Sequence, residues 1–470
     1  MQHTNAGSAN SLVVDAPTGR RVALAGGIGN YLEWFDFGLY GFMAVTIGPL
    51  FFPSSNPTVS LLGALAVFGV AFLFRPLGGI VIGAYGDRKG RKAALSLSIL
   101  LMGACTTLFG LLPTFSQVGI IAPIILVILR CGQGFSAGGE YAGALAFLIE
   151  YAPRNRRGLY SSVISATAGL GVVSGGMLTL ALTSSMSTEA LNSWGWRLPF
   201  LFAGPLAAIG LYVRLKMEDT PVFRTLESHH EVSHSPLKGV SKYSKKGIAL
   251  VFTCTAVAGL GFYYLATYVI TYLTVNVGLP RSQALLLASV GLLIYAALCP
   301  LAGKIGDRYG RRPTMLAGAG GLAVLSIPIF LAIATGNPAL VLVVLTLFAA
   351  CEALANVMLG VLMVELFPAH LRMSGAGIGF NTAQAVIGGQ GPLVATLLAA
   401  ALPTLVFAPA LYIVGVTAIA VVVLWALLPE THDRSLASTN ASLPPAHSHE
   451  SAPSGSSASS TSPIGGDTSS

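Results

Sequence analysis

The sequence predicts an all-α membrane protein with twelve transmembrane helices in two pseudo-symmetric six-helix halves. Three observations lead to this fold class. Hydrophobic residues make up 54% of the chain and charged residues only 9%, whereas soluble domains carry about 25% charged residues. Twelve apolar runs are long enough to cross a bilayer, which takes about 20 helical residues. A charged motif between two of these runs also recurs about half a chain length later, which indicates an internal duplication.

The predicted spans form two groups of six. We place them at 22–48, 59–85, 93–112, 119–150, 159–184, 196–213, 248–276, 283–304, 313–334, 339–365, 374–400 and 404–428. The predicted organisation is an N-terminal tail (1–20), a first six-helix bundle (21–213), a central loop (214–247), a second bundle (248–429) and a C-terminal tail (430–470). The last segment is rich in Ser, Ala, Pro and Thr, so we expect it to be disordered.

Basic residues indicate the orientation of the chain. They concentrate in the even-numbered loops, whereas the odd-numbered loops contain only Arg197 and Arg281. By the positive-inside rule, both termini are then cytoplasmic, and we expect the protein in the plasma membrane, the bacterial inner membrane. The net charge of +8 follows from this topology and does not indicate a nucleic-acid partner. We expect a monomer whose partners are the lipid bilayer and a small-molecule substrate.

Two motifs carry the duplication. The loop 83–92 recurs at 303–312, and the helix end 147–157 recurs at 362–372. In each loop an aspartate can cap or pair with neighbouring helix ends, and glycines let those ends approach closely. A simpler interpretation is that the basic residues only fix the topology.

These motifs resemble the signatures of the major facilitator superfamily. The loop pattern Gly-x-x-x-Asp-Arg-x-Gly-Arg-[Lys/Arg] occurs twice, and 130–134 resembles the superfamily's Arg-x-x-Gln-Gly. Residues 29–37, 75–79, 133–141, 194–200 and 218–223 are similar to the metabolite:proton symporter branch, which includes carriers of citrate, 2-oxoglutarate, shikimate and proline/betaine. The resemblance implies the major facilitator fold and a cytoplasmic gate formed by Asp87, Arg88, Arg91, Asp307, Arg308 and Arg311.

Charged residues inside the predicted spans are candidates for proton coupling, because a charge in a bilayer is costly. The helical rise of ~1.5 Å per residue puts Asp36, Arg75 and Glu140 in one layer near the midplane. All histidines lie in loops or termini, so a proton relay must use carboxylates. We predict Asp36 and Glu140 as the proton sites, with Glu33 third. Arg130, nearer the outer side, resembles the superfamily's arginine linked to proton transfer. The alternative is a purely structural ion-pair network.

Substrate-binding candidates come from both halves. Tyrosines of the seventh span can bind a quaternary ammonium group through cation–π contacts, although helix packing also explains them. The predicted substrate-binding residues are Arg75, Tyr40, Tyr264, Tyr268, Glu352, Asn356, Asn381 and Gln384.

The function predicted from the sequence is proton-coupled import of a small organic acid, of the dicarboxylate or tricarboxylate type, by alternating access. Two arginines in the membrane, Arg75 and Arg130, favour an anion. The alternative is a proton symporter of a zwitterionic osmolyte such as proline or betaine. An exporter or antiporter is disfavoured, because 169–176 lacks the proline of the antiporter signature. We expect no enzyme activity, no metal and no cofactor, because the aqueous segments contain no nucleophile–base pair, metal-ligand spacing or nucleotide loop. We expect protons to be the coupling ion.

Overall fold

The computed structural model describes residues 16–229, 236, 239 and 244–436, and these residues form helices and connecting turns without strands. Twelve helices among them have the length and apolar composition to cross a membrane, which confirms the predicted fold class. The first six are α1 (Ala16–Phe51), α2 (Pro57–Lys89), α3 (Arg91–Gly110), α4 (Ile121–Tyr151), α5 (Arg157–Ser185) and α6 (Leu198–Lys216). The second six are α7 (Lys245–Asn276), α8 (Arg281–Tyr309), α9 (Arg311–Ile333), α10 (Pro338–Glu365), α11 (Ala369–Ala401) and α12 (Ala410–Leu427).

The duplicated loops make the same turn in both halves. Gly90 separates α2 from α3 with a φ of 100°, and Gly310 separates α8 from α9 with a φ of 99°. Residues with a Cβ rarely adopt this left-handed conformation, whereas glycine does so without steric cost. The glycine of each motif is therefore required for the sharp reversal between two long helices.

The two halves meet along two helix pairs, α2 with α11 and α5 with α8. In the second pair the backbones nearly touch. A Cβ built on Gly158 would lie 2.4 Å from the carbonyl oxygen of Gly303, and one on Gly303 would lie 2.5 Å from that of Gly158. Small residues permit such close approach between membrane helices.

Several predicted boundaries differ from the structure, and α1, for example, begins at Ala16, inside the predicted tail 1–20. Helix α6 extends to Lys216, so Arg214 belongs to a spanning helix and not to the predicted loop 214–247. Only part of that loop is described, including a short helix Pro221–Ser228; His230 and His234 lie outside the described residues. Residues 430–436 pack against the helices, so the predicted disordered tail begins too early. Residues 1–15 and 437–470 also lie outside the described residues.

Both α7 and α11 contain short π-helical segments. In α7 these are Tyr264–Tyr268 and Tyr272–Asn276, and in α11 the segment is Gln384–Gly388. A π-helical turn widens the helix and is frequent at functional sites. The α11 segment packs against α7, which brings the side chain of Gln384 to the interface between the halves.

Candidate functional site

A small cavity lies between the two halves, near the middle of α1 and α10. Its accessible volume is about 10 Å³, roughly the space that one water molecule needs. Aromatic rings dominate the lining, and the polar contributions come from α10 and α11. The lining residues are Trp34, Tyr141, Ala168, Gly259, Phe262, Asn356, Leu359, Phe380 and Gln384. We call this space the central cavity; it is occluded in this conformation.

A buried ion pair lies beside the central cavity. Arg75 Nη2 donates to Glu33 Oε1 at 2.6 Å, and the guanidinium lies 5.5 Å from the ring centre of Phe37 and 5.7 Å from that of Phe72. The second oxygen of Glu33 and two nitrogens of Arg75, Nε and Nη1, have no hydrogen-bond partner in the part of the chain that the structure describes. The pair thus retains hydrogen-bonding capacity for a ligand.

The Glu33–Arg75 pair faces the opposite half through Tyr263 of α7. The Tyr263 ring is 5.8 Å from both Trp34 and Phe72, and its hydroxyl is buried without a partner. Both charges of the pair are close enough to act on that hydroxyl. Tyr263 was not among the predicted substrate-binding residues, because the sequence of α7 does not indicate which of its four tyrosines faces the interface.

Tyr264 and Tyr268 point elsewhere. Their hydroxyls donate to backbone carbonyls within the second half, Tyr264 to Pro409 at 2.8 Å and Tyr268 to Ala395 at 3.3 Å. Both rings also pack around Phe330 of α9. The structure therefore does not bring these two tyrosines to the central cavity.

Asp36 pairs with Arg130 inside the first half. Arg130 Nη1 donates to Asp36 Oδ2 at 2.8 Å, and Gln133 and Thr106 donate to Oδ1 at 3.0 and 3.2 Å. The Tyr40 ring centre lies 3.6 Å from the Arg130 guanidinium carbon. Arg130 is thus level with Asp36 and not in a separate outer layer as predicted, and Tyr40 supports this pair instead of lining the cavity.

Glu140 pairs with Arg214 of α6, a partner that the sequence analysis missed. Arg214 Nη1 donates to Glu140 Oε2 at 3.1 Å, and its Nη2 donates to Oε1. The pair lies against Gly29, which is about 10 Å along α1 from Asp36 at 1.5 Å per residue. The predicted single layer of Asp36, Arg75 and Glu140 is therefore wrong, and the charges form three ion pairs at successive depths.

The predicted polar residues of the second half divide into two groups. Asn356 and Gln384 line the central cavity, and Glu352 Oε1 accepts a hydrogen bond from Asn356 Nδ2 at 3.1 Å. Asn381 instead links the halves, because its amide donates to the carbonyls of Gly138 at 2.7 Å and Gly377 at 2.8 Å.

At the predicted cytoplasmic end, a first charged cluster joins the halves around Glu150. Arg91 of α3 and Arg372 of α11 both donate to Glu150 Oε1, at 3.2 and 2.5 Å. Asp87 of α2 accepts from the backbone amides of Met373 and Ser374 at 3.1 and 2.9 Å. A carboxylate of one half therefore caps the N-terminus of α11 in the other.

A second charged cluster repeats this arrangement around Glu365. Arg311 donates to Glu365 Oε2 at 3.3 Å, and Arg157 donates to Oε1 at 2.8 Å. Asp307 of α8 accepts from the first amides of α5, those of Gly158 at 2.8 Å and Leu159 at 3.0 Å. Each half thus contributes its aspartate to a helix of the other half.

Both clusters also contain a third repeated motif, an acidic residue followed by threonine, which we did not identify as a repeat from the sequence. The Asp219 carboxylate accepts from the first two amides of α3 at 3.1 and 3.3 Å, and Glu430 accepts from those of α9 at 2.9 and 3.1 Å. The hydroxyls of the following residues, Thr220 and Thr431, donate to Glu150 and Glu365. Burial raises the pKa of Asp219 above its ordinary value, against the effect of the amide hydrogen bonds. The sequence shows this repeat as an acidic residue followed by threonine after the sixth and the twelfth span, at 219–220 and 430–431.

Two predicted gate residues lie outside these clusters. Arg88 and Arg308 are exposed, and Arg308 stacks on Tyr309 at 5.3 Å. The side chain at this position of each motif therefore points to the surface. In contrast, Asp87, Arg91 and Arg311 are buried, and Asp307 is partly buried.

The sequence matches the profile of the Major Facilitator Superfamily over residues 28–392 and 251–456. It is 34% identical over 419 residues to the glycine betaine/proline/ectoine/pipecolic acid transporter OusA of Dickeya dadantii, covering 87% of this chain and 83% of that protein. It is also 34% identical over 436 residues to the proline/betaine transporter of Escherichia coli K12, covering 90% of this chain and 86% of that protein.

A solved structure shares the fold. The proton:xylose symporter XylE bound to 6-bromo-6-deoxy-D-glucose superposes with a TM-score of 0.75 at 17% identity, over 89% of this chain and 98% of that one. Family profile, relatives, twelve spans and duplicated motifs agree, and the chain belongs to the major facilitator superfamily.

Proposed function

We propose that the protein is a proton-coupled symporter of a zwitterionic osmolyte of the betaine or proline type, working by alternating access. The observation that carries this proposal is the Glu33–Arg75 pair, whose unpartnered atoms lie beside an aromatic cavity between the halves. A carboxylate ligand can bind Arg75 through charge-assisted hydrogen bonds. A quaternary or secondary ammonium group can bind Glu33 and the aromatic faces of Trp34 and Tyr263.

The charge balance of the site argues against the organic-acid substrate that we predicted first. That prediction needed two arginines for the anion. Arg130 is bound by Asp36 and lies in the first half away from the cavity lining. Arg75 is therefore the one arginine among the described residues beside the cavity, and Glu33 already neutralises its charge. The names of the similar transporters favour the zwitterion as well.

Alternating access suits the distribution of contacts between the halves. The two charged clusters close the predicted cytoplasmic end with bonds that exist only while the halves are together. An inward-open carrier must break both clusters, and an occluded carrier must keep them. Binding energy that favours one arrangement over the other then drives the exchange between them.

Ligand binding to charge-neutralising variants tests the substrate class. We would measure binding of glycine betaine, proline, citrate and 2-oxoglutarate to the purified carrier by thermal stabilisation, which rises with ligand occupancy. A zwitterion needs both charges, so Glu33→Gln and Arg75→Gln should each weaken betaine binding. The exposed Glu227→Gln is the matched control and should bind as the wild type does.

An anionic substrate gives the opposite result for one variant. Glu33→Gln would remove a repulsive charge from the site, so citrate or 2-oxoglutarate would bind more tightly. Tighter binding of these acids to Glu33→Gln, with no stabilisation of the wild type by betaine or proline, would overturn the proposal.

A further inference from the structure

Glu352 differs from the other acidic residues of the described spanning helices. Each of those has a basic side chain within 4.0 Å, whereas Glu352 has none. It lies midway along α10, about 20 Å from either end at 1.5 Å per residue. Its side chain is fully buried, and Oε2 has no hydrogen-bond partner.

Among the described residues, none near Glu352 carries a charge that could balance a carboxylate. The titratable groups close enough to interact with it are Tyr141 of α4, Tyr295 and Cys299 of α8, and Cys351 of α10 itself. Tyrosine and cysteine are ordinarily neutral at pH 7. On the α7 side, Gly261 leaves room for Oε2, since a Cβ there would lie 2.0 Å from it.

A buried carboxylate without a counter-charge is stable only in its neutral form, because an isolated charge in an apolar medium costs far more than protonation. The protonated acid can also donate a hydrogen bond, which a carboxylate cannot do. In this occluded conformation, Glu352 is therefore suited to hold a proton. Asp36, Glu140 and Glu33, the predicted proton sites, each form an ion pair with an arginine.

Glu352 is also connected to the central cavity and to the opposite half. Asn356 donates to Glu352 Oε1, and its own oxygen accepts from Tyr141 at 3.2 Å and from Ser165 of α5 at 3.0 Å. Tyr141 and Asn356 both line the cavity. The side-chain amide of Asn356 therefore forms hydrogen bonds both to Glu352 and to residues of the first half, and it also lines the cavity.

We propose that Glu352 binds the transported proton, and that Asn356 couples its protonation to occlusion of the central cavity. This inference rests on the proposed proton symport. The occluded carrier forms when Glu352 is protonated, because closing apolar walls around the charged form is unfavourable. When the halves open toward the cytoplasm, water reaches the carboxyl group, its O–H bond breaks, the proton passes to water, and the carboxylate remains.

Substitution of Glu352 by glutamine separates exchange from proton-driven transport. Glutamine resembles the protonated acid in shape and keeps the oxygen that accepts from Asn356. In proteoliposomes, Glu352→Gln should lose accumulation driven by an acid-outside gradient, and betaine should no longer acidify the lumen. Counterflow exchange of betaine should persist and lose its dependence on pH. Glu227→Gln, exposed and remote, is the matched control and should keep gradient-driven accumulation.

The outcomes separate this inference from the proposed function. If betaine moves no protons through the wild-type carrier, the proposed symport is wrong. If the wild type couples protons and Glu352→Gln acidifies the lumen equally, the symport stands and the Glu352 assignment is overturned. Should Glu352→Gln fail to fold, Glu352→Asp supplies the test: displacement of the carboxyl group should shift the pH midpoint of exchange, and an unchanged midpoint would refute the assignment.

Discussion

Asp87→Asn should open the predicted cytoplasmic side of the carrier. The Asp87 carboxylate accepts from the amides of Met373 and Ser374 and from the Ser374 hydroxyl, at 3.1, 2.9 and 2.7 Å. All three donors belong to the opposite half. An asparagine retains one acceptor oxygen, loses the negative charge at the N-terminus of α11, and presents an NH₂ group to donors.

The magnitude follows from the bonds that are lost. A hydrogen bond to a charged group contributes about 1.5–3 kcal/mol. Because the contact exists only while the halves are closed, its loss destabilises the closed carrier alone. At 1.4 kcal/mol per factor of ten, the open fraction should rise about ten- to hundredfold.

Alkylation of a reporter cysteine measures this open fraction. Ser161 is buried at the interface and donates to the Val357 carbonyl at 2.8 Å, so Ser161→Cys should react only when the halves separate. The five native cysteines are first replaced. Arg88→Gln is the matched control, since it removes an exposed charge from the same loop. Equal alkylation rates for the Asp87→Asn and Arg88→Gln variants would refute the argument.

Two further substitutions test the first half and α7. Asp36→Asn leaves Arg130 buried without a counter-charge, which costs about 3–5 kcal/mol, so thermal stability and proton-driven uptake should fall. The double variant Asp36→Asn/Arg130→Gln should recover stability; equal stability of wild type and Asp36→Asn would contradict the buried pair. Tyr263→Phe keeps the aromatic face but removes a buried hydroxyl that has no partner among the described residues and can donate to the substrate carboxylate. The substitution should therefore raise the KM for betaine and leave stability unchanged. Tyr264→Phe removes the bond to Pro409 and should cost about 1 kcal/mol of stability with the same KM; the reverse pattern would exclude Tyr263 from the site.

The fold could be predicted from the apolar runs and the repeated loop, because both can be recognised in the sequence without knowing any contact between distant residues. The repeats also placed Asp87 and Arg91 together at one helix end. Their partners lie in or beside the second repeated motif: Asp87 accepts from Met373 and Ser374, and Arg91 donates to Glu150. The capping role of Asp219 was not foreseen, since a carboxylate after the sixth span gives no indication of which helix it will cap.

The central site was harder to predict, because depth along a helix does not specify the direction of a side chain. Asp36 and Glu33 are less than one helical turn apart, yet they pair with arginines on different helices. Arg214 was assigned to a loop, because a charge at a span's end normally marks the membrane surface. Its burial against Glu140 became visible only once α3, α4 and α6 were packed together.

Uptake into proteoliposomes with an imposed acid-outside pH gradient tests the central claim most directly. Labelled glycine betaine, proline, citrate, 2-oxoglutarate and shikimate would be compared, each with and without a protonophore. The account predicts that betaine or proline accumulates and that the protonophore abolishes this accumulation. Accumulation of an organic acid in place of both zwitterions, or betaine uptake that ignores the protonophore, would contradict it.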